Sequence, residues 1–251
     1  MTAPGWYPDQ QDGGLRYWDG ARWTAHHAPV PPPPPAPGPD VHELSVRGRR
    51  ARGAVLALAP VQIASAVLGA LSLRSVFDLW GDMWDDIAAL ESGVEPYQPD
   101  LSAAVSVQGF GMVSNLLSLV YFVLGLFFVL WLYQAAVNAR RLGRPARRSP
   151  VWAWAGWLIP IGNLFLPYQS ARDLFPAGHA GRGLVARWWA LFLGSGLVST
   201  VAMVVAALMT GAVPVLVAGL VTAPAAVGAA LAGRSLVDTV EVDQRAVAGA
   251  A

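Results

Sequence analysis

The stretch VWAWAGWLIPIGNLFLPYQSA, residues 151–171, decides the fold of this chain. It has no charged residue and could cross a bilayer, because about 20 helical residues at 1.5 Å rise match a hydrocarbon core of about 30 Å. However, Pro160 and Pro167 each remove a backbone N–H donor and disfavour a helical conformation in the preceding residue. A straight spanning helix is therefore not expected here, and the number of crossings depends on where this segment goes.

Four further stretches are uncharged and long enough to cross a bilayer: residues 53–73, 101–139, 188–211 and 212–233. The composition fits a membrane protein, with 55% hydrophobic and 13% charged residues, where a soluble domain has about 25% charged residues. The sequence predicts an all-α polytopic membrane helical bundle of four spanning helices. Segment 151–171 adds a re-entrant or interfacial element, and the alternative is five spans.

The arginines favour the first of these topologies. All 17 basic residues are arginine. If segment 151–171 spans, nine arginines flank the helices on one side and six on the other; if it turns back, fourteen lie on one side and only Arg74 on the other. Because basic residues are retained on the cytoplasmic side, we expect a multi-pass protein of the cell membrane. Its N-terminus, the 140–148 loop and its C-terminus are then cytoplasmic.

Residues 75–100, between the first two crossings, carry acidic residues and no basic one. The sequence predicts an external loop, with an interfacial helix that holds Trp80 and Trp84 at the level of the lipid headgroups. The carboxylates lack the spacing and the glycine of a calcium-binding EF-hand loop. They are interpreted as a solvated acidic cap, and no metal site is predicted.

Residues 1–28 form a tryptophan-rich segment with turn signals at Gly13-Gly14 and Asp19-Gly20, which predict a β mini-sheet of two or three strands. Such a small sheet needs most of its aromatic side chains simply to fold. The functional alternative is a groove for an extended proline-rich peptide. The candidate peptide-binding residues are Trp6, Tyr17, Trp18 and Trp23.

The remaining domain boundaries follow from changes in amino-acid composition along the chain. Residues 29–52 are a proline-rich and arginine-rich cytoplasmic linker, whose proline run at 31–35 is extended and semi-rigid. It serves as a spacer or as a ligand for the preceding module. Residues 53–237 are the transmembrane helical domain, and residues 238–251 are a C-terminal tail.

No motif of an enzyme is present, so no catalytic residue, cofactor or bound metal is predicted. The chain has no cysteine, and its four histidines lie outside the predicted crossings. The basic 140–148 loop has no interleaved aromatic residue, which argues against nucleic acid as a partner. The predicted partners are the lipid bilayer and either a proline-rich peptide or another membrane protein, with the oligomeric state left open.

Two stretches resemble known families. PGWYPDQQDGGLRYWDGARWT, residues 4–24, resembles domain of unknown function 2510, which begins many actinobacterial membrane proteins. RRLGRPARRSPVWAWAGWLIPIGNLFLPYQSARDLF, residues 140–175, resembles domain of unknown function 4328. The signature of that family corresponds here to Trp154, Trp157, Pro160, Asn163 and Pro167. The resemblance implies a membrane protein of actinobacterial lineage and implies no activity.

Two function hypotheses remain. The first is a non-enzymatic scaffold or interaction protein with a cytoplasmic aromatic binding module. The second is a bundle that handles a small solute or a lipid through the broken segment 151–171, by analogy with interrupted transporter helices. In either case we expect Asn163 to satisfy backbone groups that the prolines leave free or to contact a ligand.

Overall fold

The structure is a computed structural model that describes residues 2–9, 13–30, 37–93, 102–209 and 213–250. The chain divides into two compact units, Met1–Pro37 and Gly38–Ala251. The proline run at 31–35 lies outside the described residues, so its predicted role stays a prediction.

The first unit is the predicted mini-sheet, with three antiparallel strands in the order β1-β2-β3. The strands are β1 (Gly5–Pro8), β2 (Leu15–Trp18) and β3 (Trp23–Ala28). None of the described residues of this sheet is fully buried. The sheet is therefore held by its backbone ladder and by contacts between partly exposed aromatic rings.

The second unit is the predicted helical bundle. Its long helices are α1 (Val41–Ser92), α2 (Ser102–Arg141), α5 (Gly181–Leu208) and α6 (Val213–Gly249). Two short helices, α3 (Trp152–Ala155) and α4 (Leu166–Arg172), lie between α2 and α5. Among the described residues, the four long helices are the ones long and apolar enough to cross a membrane. Each contains one of the four predicted crossings, and the predicted turn at 210–211 lies outside the described residues.

Helix α1 is longer than predicted at both ends. It starts after Asp40, whose side chain accepts a hydrogen bond from the Glu43 N–H at 2.8 Å, so residues 41–52 are helix rather than linker. It continues to Ser92 and ends at Gly93, which has a left-handed φ of 69°. Residues 75–92 are therefore helix rather than loop, and the helix predicted to hold Trp80 and Trp84 is a direct continuation of α1, since no proline occurs between residues 75 and 92.

Helix α6 also continues past its predicted crossing. Residues 238–249, predicted as a tail, form its last three turns. Val237, Val240, Glu241 and Gln244 are buried there, at the three- and four-residue spacing of one helix face. The end of α6 is thus part of the folded unit.

The four long helices are arranged around α1, which packs against α2, α5 and α6, while α5 packs against α6. The backbones of α2 and α5 stay apart in the described part of the chain, and the two helices meet through side chains, with the Phe128 and Trp188 ring centroids 5.0 Å apart. The largest apolar core includes Trp131, Phe175 and Leu236. It lies at the end of the bundle that also holds Arg52 and Arg144, which we call the arginine-rich end.

Candidate functional site

The broken segment 151–171 leaves the arginine-rich end of the bundle and returns to it. The Arg147 backbone N–H donates to Asp173 Oδ2 at 3.0 Å, and the Arg144 guanidinium donates to the Leu174 carbonyl. The ends of a 21-residue spanning helix would be about 30 Å apart. The segment therefore turns back, as in the four-span prediction, and does not form a fifth crossing.

Glycines and prolines shape this turn. Pro167 is buried in the first turn of α4, where its missing N–H costs no helical hydrogen bond, and Pro160 is exposed in the turn before it. A Cβ on Gly156 would lie 2.8 Å from Leu166 Cβ, and one on Gly162 would lie 2.7 Å from Leu166 Cδ1. Gly156 therefore allows α3 to pack closely against Leu166, and Gly162 leaves room for the side chain of the same leucine.

Trp189 of α5, rather than Asn163, satisfies the backbone of the broken segment. Its Nε1 donates to the Leu164 carbonyl at 3.0 Å. The Asn163 side chain makes no hydrogen bond to any described residue, so the anchoring role expected for it has no contact to support it. Trp189 is not among the candidate residues predicted from the sequence. The signal available in the sequence was a tryptophan, whose indole N–H can donate a hydrogen bond, together with an uncharged segment that two prolines interrupt.

The two signature tryptophans occupy different surroundings. Trp157 is partly buried: its Nε1 donates to the Ala153 carbonyl at 3.1 Å, and its ring contacts Trp189 and Phe192, each with ring centroids 5.9 Å apart. The Trp154 side chain is 44% exposed. Trp157 is thus part of the packing between the broken segment and α5, while Trp154 faces outward.

Both tryptophans border a groove between α2 and α5, whose backbones do not approach each other closely. The groove has a volume of about 320 Å³, with Val55 and Leu58 of α1 among its walls and the broken segment at one side. Apart from the Tyr121 hydroxyl and the tryptophan Nε1 atoms, the lining side chains are apolar. The lining residues of α2 and α5 are Tyr121, Phe122, Gly125, Leu126, Phe128, Val129, Trp188 and Phe192.

A network of charged residues that the sequence did not predict ties α6 to the arginine-rich end. Arg52 of α1 contacts Asp238 at 2.8 Å and Glu241 at 3.3 Å. Arg144 contacts Asp243 at 2.6 Å, and His179 Nε2 lies 3.6 Å from the same carboxylate. Because these partners are at least 64 positions apart in sequence, no local pattern revealed them. Their pairing allows charges to be buried at this end of the bundle.

In the N-terminal module, a tight turn brings two tryptophans together. The backbone N–H groups of Ala21 and Arg22 donate to Asp19 Oδ1 at 2.8 and 2.7 Å. The hydrogen bonds from Arg22 and Ala21 lower the pKa of the Asp19 carboxyl. The turn places Trp18 opposite Trp23 in the strand register, with ring centroids 5.3 Å apart. Asp19 thus positions this aromatic pair.

The four candidate peptide-binding residues do not share one face of the sheet. Trp6 is paired with Tyr17 in the register, and their rings are 5.3 Å apart. Since alternate residues of a strand point to opposite faces, Trp18 and Trp23 lie on the other face. There Tyr7 packs against Trp23 with ring centroids 5.9 Å apart. The aromatic triad is therefore Tyr7, Trp18 and Trp23, and the sequence-based set missed Tyr7.

The fold defines an integral membrane protein of the helical-bundle class with a small β module. Residues 96–238 match the family described as Domain of unknown function (DUF4328), and residues 4–36 match Protein of unknown function (DUF2510). The first match covers more than half of the chain, so the protein belongs to the DUF4328 family. No curated protein and no solved structure matches the chain significantly.

Proposed function

We propose that this protein is a non-enzymatic interaction protein of the cell membrane, in which the aromatic triad of the N-terminal module binds proline-rich sequence. The helical unit is its membrane anchor. The observation that carries the proposal is the triad itself: Trp23 is 46% exposed and lies edge-on to both Tyr7 and Trp18. Neighbouring exposed aromatic rings are the surface on which polyproline II segments dock.

The distribution of arginine supports a cytoplasmic module. The return of segment 151–171 gathers Arg52, Arg144 and Arg182 at one end of the bundle. Arg74 lies at the other end, where its guanidinium donates to the Met209 carbonyl at 3.0 Å. Under the positive-inside rule the arginine-rich end faces the cytoplasm. Helix α1 begins at this end of the bundle, and the module precedes α1 in the sequence without a crossing between them. The module is therefore cytoplasmic.

Two tryptophans of equal exposure allow a matched test. Trp6 and Trp23 are each 46% exposed but lie on opposite faces of the sheet. A peptide with the sequence of residues 29–40 is titrated into the full-length protein in detergent, and NMR shifts of the tryptophan indole groups are followed. We expect binding in the wild-type protein and in Trp6→Ala, and its loss in Trp23→Ala, because only Trp23 belongs to the triad.

Two results would contradict peptide recognition by the triad. The first is no NMR shift at millimolar peptide, and the second is an equal loss of binding in Trp6→Ala and Trp23→Ala. Either result leaves the aromatic residues with a role in folding alone. A peptide with every proline replaced by alanine is the ligand control, since it lacks preformed polyproline II geometry.

The groove between α2 and α5 favours a second candidate, a bundle that holds a small apolar solute or a lipid chain. Its volume of about 320 Å³ lies at the lower end of the range for small-molecule sites, about 300–1,000 Å³. Its mouth lies between two helices whose backbones stay apart and which meet through the Phe128 and Trp188 rings. An apolar ligand could therefore enter from the hydrocarbon core.

Gly125 gives a direct test of this candidate. It lines the groove, and a Cβ placed on it would have no described atom within 4 Å, so Gly125→Leu fills the space without a clash at Cβ. Gly111 on the same helix is equally open and lies outside the groove, so Gly111→Leu is the control. Native mass spectrometry in mild detergent should show retained lipid lost in Gly125→Leu alone. Equal retention in both variants contradicts a lipid site in the groove.

A further inference from the structure

A small cleft lies between α1 and α2 at the arginine-rich end of the bundle. Its volume is about 150 Å³, and its walls are formed by Glu43, Arg47 and Arg50 of α1 and by Phe127 and Leu130 of α2. This volume is below the range of about 300–1,000 Å³ that is typical of sites enclosing a small molecule. The cleft can therefore hold one polar headgroup, while the rest of a larger ligand stays outside it.

The cleft carries a net positive charge, because only one of its two arginines is paired. The Arg47 Nε contacts Glu43 Oε1 at 2.6 Å, and its Nη1 donates to the Leu130 carbonyl at 3.2 Å. Arg50 is exposed, and it forms no hydrogen bond or ion pair with any residue that the structure describes. Its guanidinium group is therefore free to bind an anion. Phosphate is the anion that matches best, since a guanidinium group can donate two parallel hydrogen bonds to its oxygens.

The cleft lies at the depth of the lipid phosphates. Arg50 is three residues before residue 53, where the uncharged stretch of α1 begins. Three helical residues correspond to about 4.5 Å along the axis. The headgroup layer on each side of the hydrocarbon core is about 5–8 Å thick. Arg50 therefore lies within this layer.

An apolar surface leads from the cleft towards the membrane. It consists of four side chains of α2 that are each 36–45% exposed, namely Val120, Val123, Phe127 and Leu130. At about 100° per residue these positions fall within about 80° of one another, so they share one side of the helix, which we call the α2 stripe. The stripe and the groove beside α5 occupy different sides of α2, because no residue lines both the cleft and the groove.

We propose that the cleft and the α2 stripe together bind one anionic phospholipid. Arg50 donates hydrogen bonds to the phosphate, Arg47 provides a second positive charge, and an acyl chain lies along the stripe. A phospholipid is favoured over a soluble phosphate because only a molecule with an acyl chain can cover the stripe. An anionic lipid is favoured over a zwitterionic one, whose choline cation the arginines repel. The site is separate from the aromatic triad of the N-terminal module.

Native mass spectrometry of the full-length protein in mild detergent tests the proposal. Phosphatidylglycerol and phosphatidylcholine with identical acyl chains are titrated separately, and the dissociation constant of the first bound lipid is measured for each. We expect the wild-type protein to bind phosphatidylglycerol about tenfold more tightly or better. Arg50→Gln should weaken phosphatidylglycerol binding by about tenfold and remove the preference, because the phosphate loses a charged hydrogen-bond donor.

Two variants serve as controls. Arg49 is also exposed and forms no hydrogen bond or ion pair with a described residue, but it does not line the cleft. Arg49→Gln removes the same charge at nearly the same depth and should weaken binding by about twofold or less, because its charge does not contact the phosphate. Gly125→Leu fills the groove beside α5 and should leave the preference for phosphatidylglycerol unchanged. The lipid sites of the cleft and of the groove can therefore fail separately.

Three outcomes would overturn the proposal. The first is equal affinity of the wild-type protein for phosphatidylglycerol and phosphatidylcholine. The second is equal weakening by Arg50→Gln and Arg49→Gln, which indicates a general attraction to the arginine-rich end. The third is displacement of bound phosphatidylglycerol by an equimolar amount of inorganic phosphate, since that identifies a site for a soluble phosphate rather than for a lipid.

Discussion

Asn138, near the end of α2, and Asp40, just before the start of α1, are joined by two reciprocal hydrogen bonds although they lie 98 positions apart in sequence. The Asp40 N–H donates to Asn138 Oδ1 at 3.0 Å, and Asn138 Nδ2 donates to the Asp40 carbonyl at 2.9 Å. Asn138 is fully buried and also accepts from Gln134 Nε2 at 3.2 Å. One amide thus fixes the start of α1 against the end of α2.

Asn138→Leu should destabilise the helical unit by about 2–4 kcal/mol, because each buried polar group left without its partner costs about 1–3 kcal/mol. Asn115→Leu on the same helix is the control, since Asn115 is exposed on the surface of the bundle. Denaturant unfolding in detergent measures both. Equal stability of the two variants would contradict the assigned role of Asn138.

Gly48 marks the closest approach of α1 to α6. A Cβ at this position would lie 1.5 Å from Glu241 Oε1, and Glu241 is held by Arg52 and Arg245. We expect Gly48→Ala to lower the free energy of unfolding by about 1–3 kcal/mol through overpacking. Gly53→Ala, one turn further along α1, meets no described atom and should be neutral or stabilise by up to about 1 kcal/mol. Thermal unfolding in detergent compares the two; a neutral Gly48→Ala would refute the close contact.

Trp189→Phe tests the anchor of the broken segment. It removes the hydrogen bond to the Leu164 carbonyl and keeps an aromatic ring beside Phe192. The expected loss of stability is about 1–2 kcal/mol. Asn163→Leu should have little effect, because its side chain has no hydrogen-bond partner among the described residues. The opposite ranking, measured by denaturant unfolding in detergent, would restore the anchoring role to Asn163.

The Asp19 turn predicts how the module responds to acid. Because the pKa of Asp19 is lowered in the folded module, its ionised form stabilises the fold above the ordinary value near 3.8. This contribution is lost as the pH falls through the lower folded pKa. Near-UV circular dichroism of full-length protein should show this acid-dependent loss, which Asp19→Ala should remove. An unchanged acid response in Asp19→Ala would show that other groups control it.

The sequence predicted the crossings and the turn of segment 151–171 well, because uncharged length, proline and arginine distribution are properties of the chain itself. Prediction from the sequence failed where the burial of a residue depended on partners that are far away in the chain. Glu241 and Gln244 lie in a polar stretch that is typical of a solvated tail. Both are nevertheless buried, because Glu241 contacts Arg52 of α1 and Gln244 donates a hydrogen bond to the Ala135 carbonyl of α2.

The same contrast applies to the candidate sites. Turn signals predicted the mini-sheet, but the β2–β3 register, which includes a bulge between Arg16 and Trp18, decided which aromatic residues share a face. Trp189 was not among the candidate residues predicted from the sequence. Its hydrogen bond to Leu164 depends on how the broken segment folds back against α5.

The claim that segment 151–171 turns back is tested most directly by cysteine accessibility, because the chain has no native cysteine. Single cysteines replace Ser149, Ala177 and Ser92, which are all exposed, and a membrane-impermeant maleimide is added to intact and to permeabilised cells. We expect Ser149 and Ala177 to be labelled only after permeabilisation, and Ser92 in intact cells. Labelling of Ser149 and Ala177 from opposite sides of the membrane would contradict the account and require a fifth crossing.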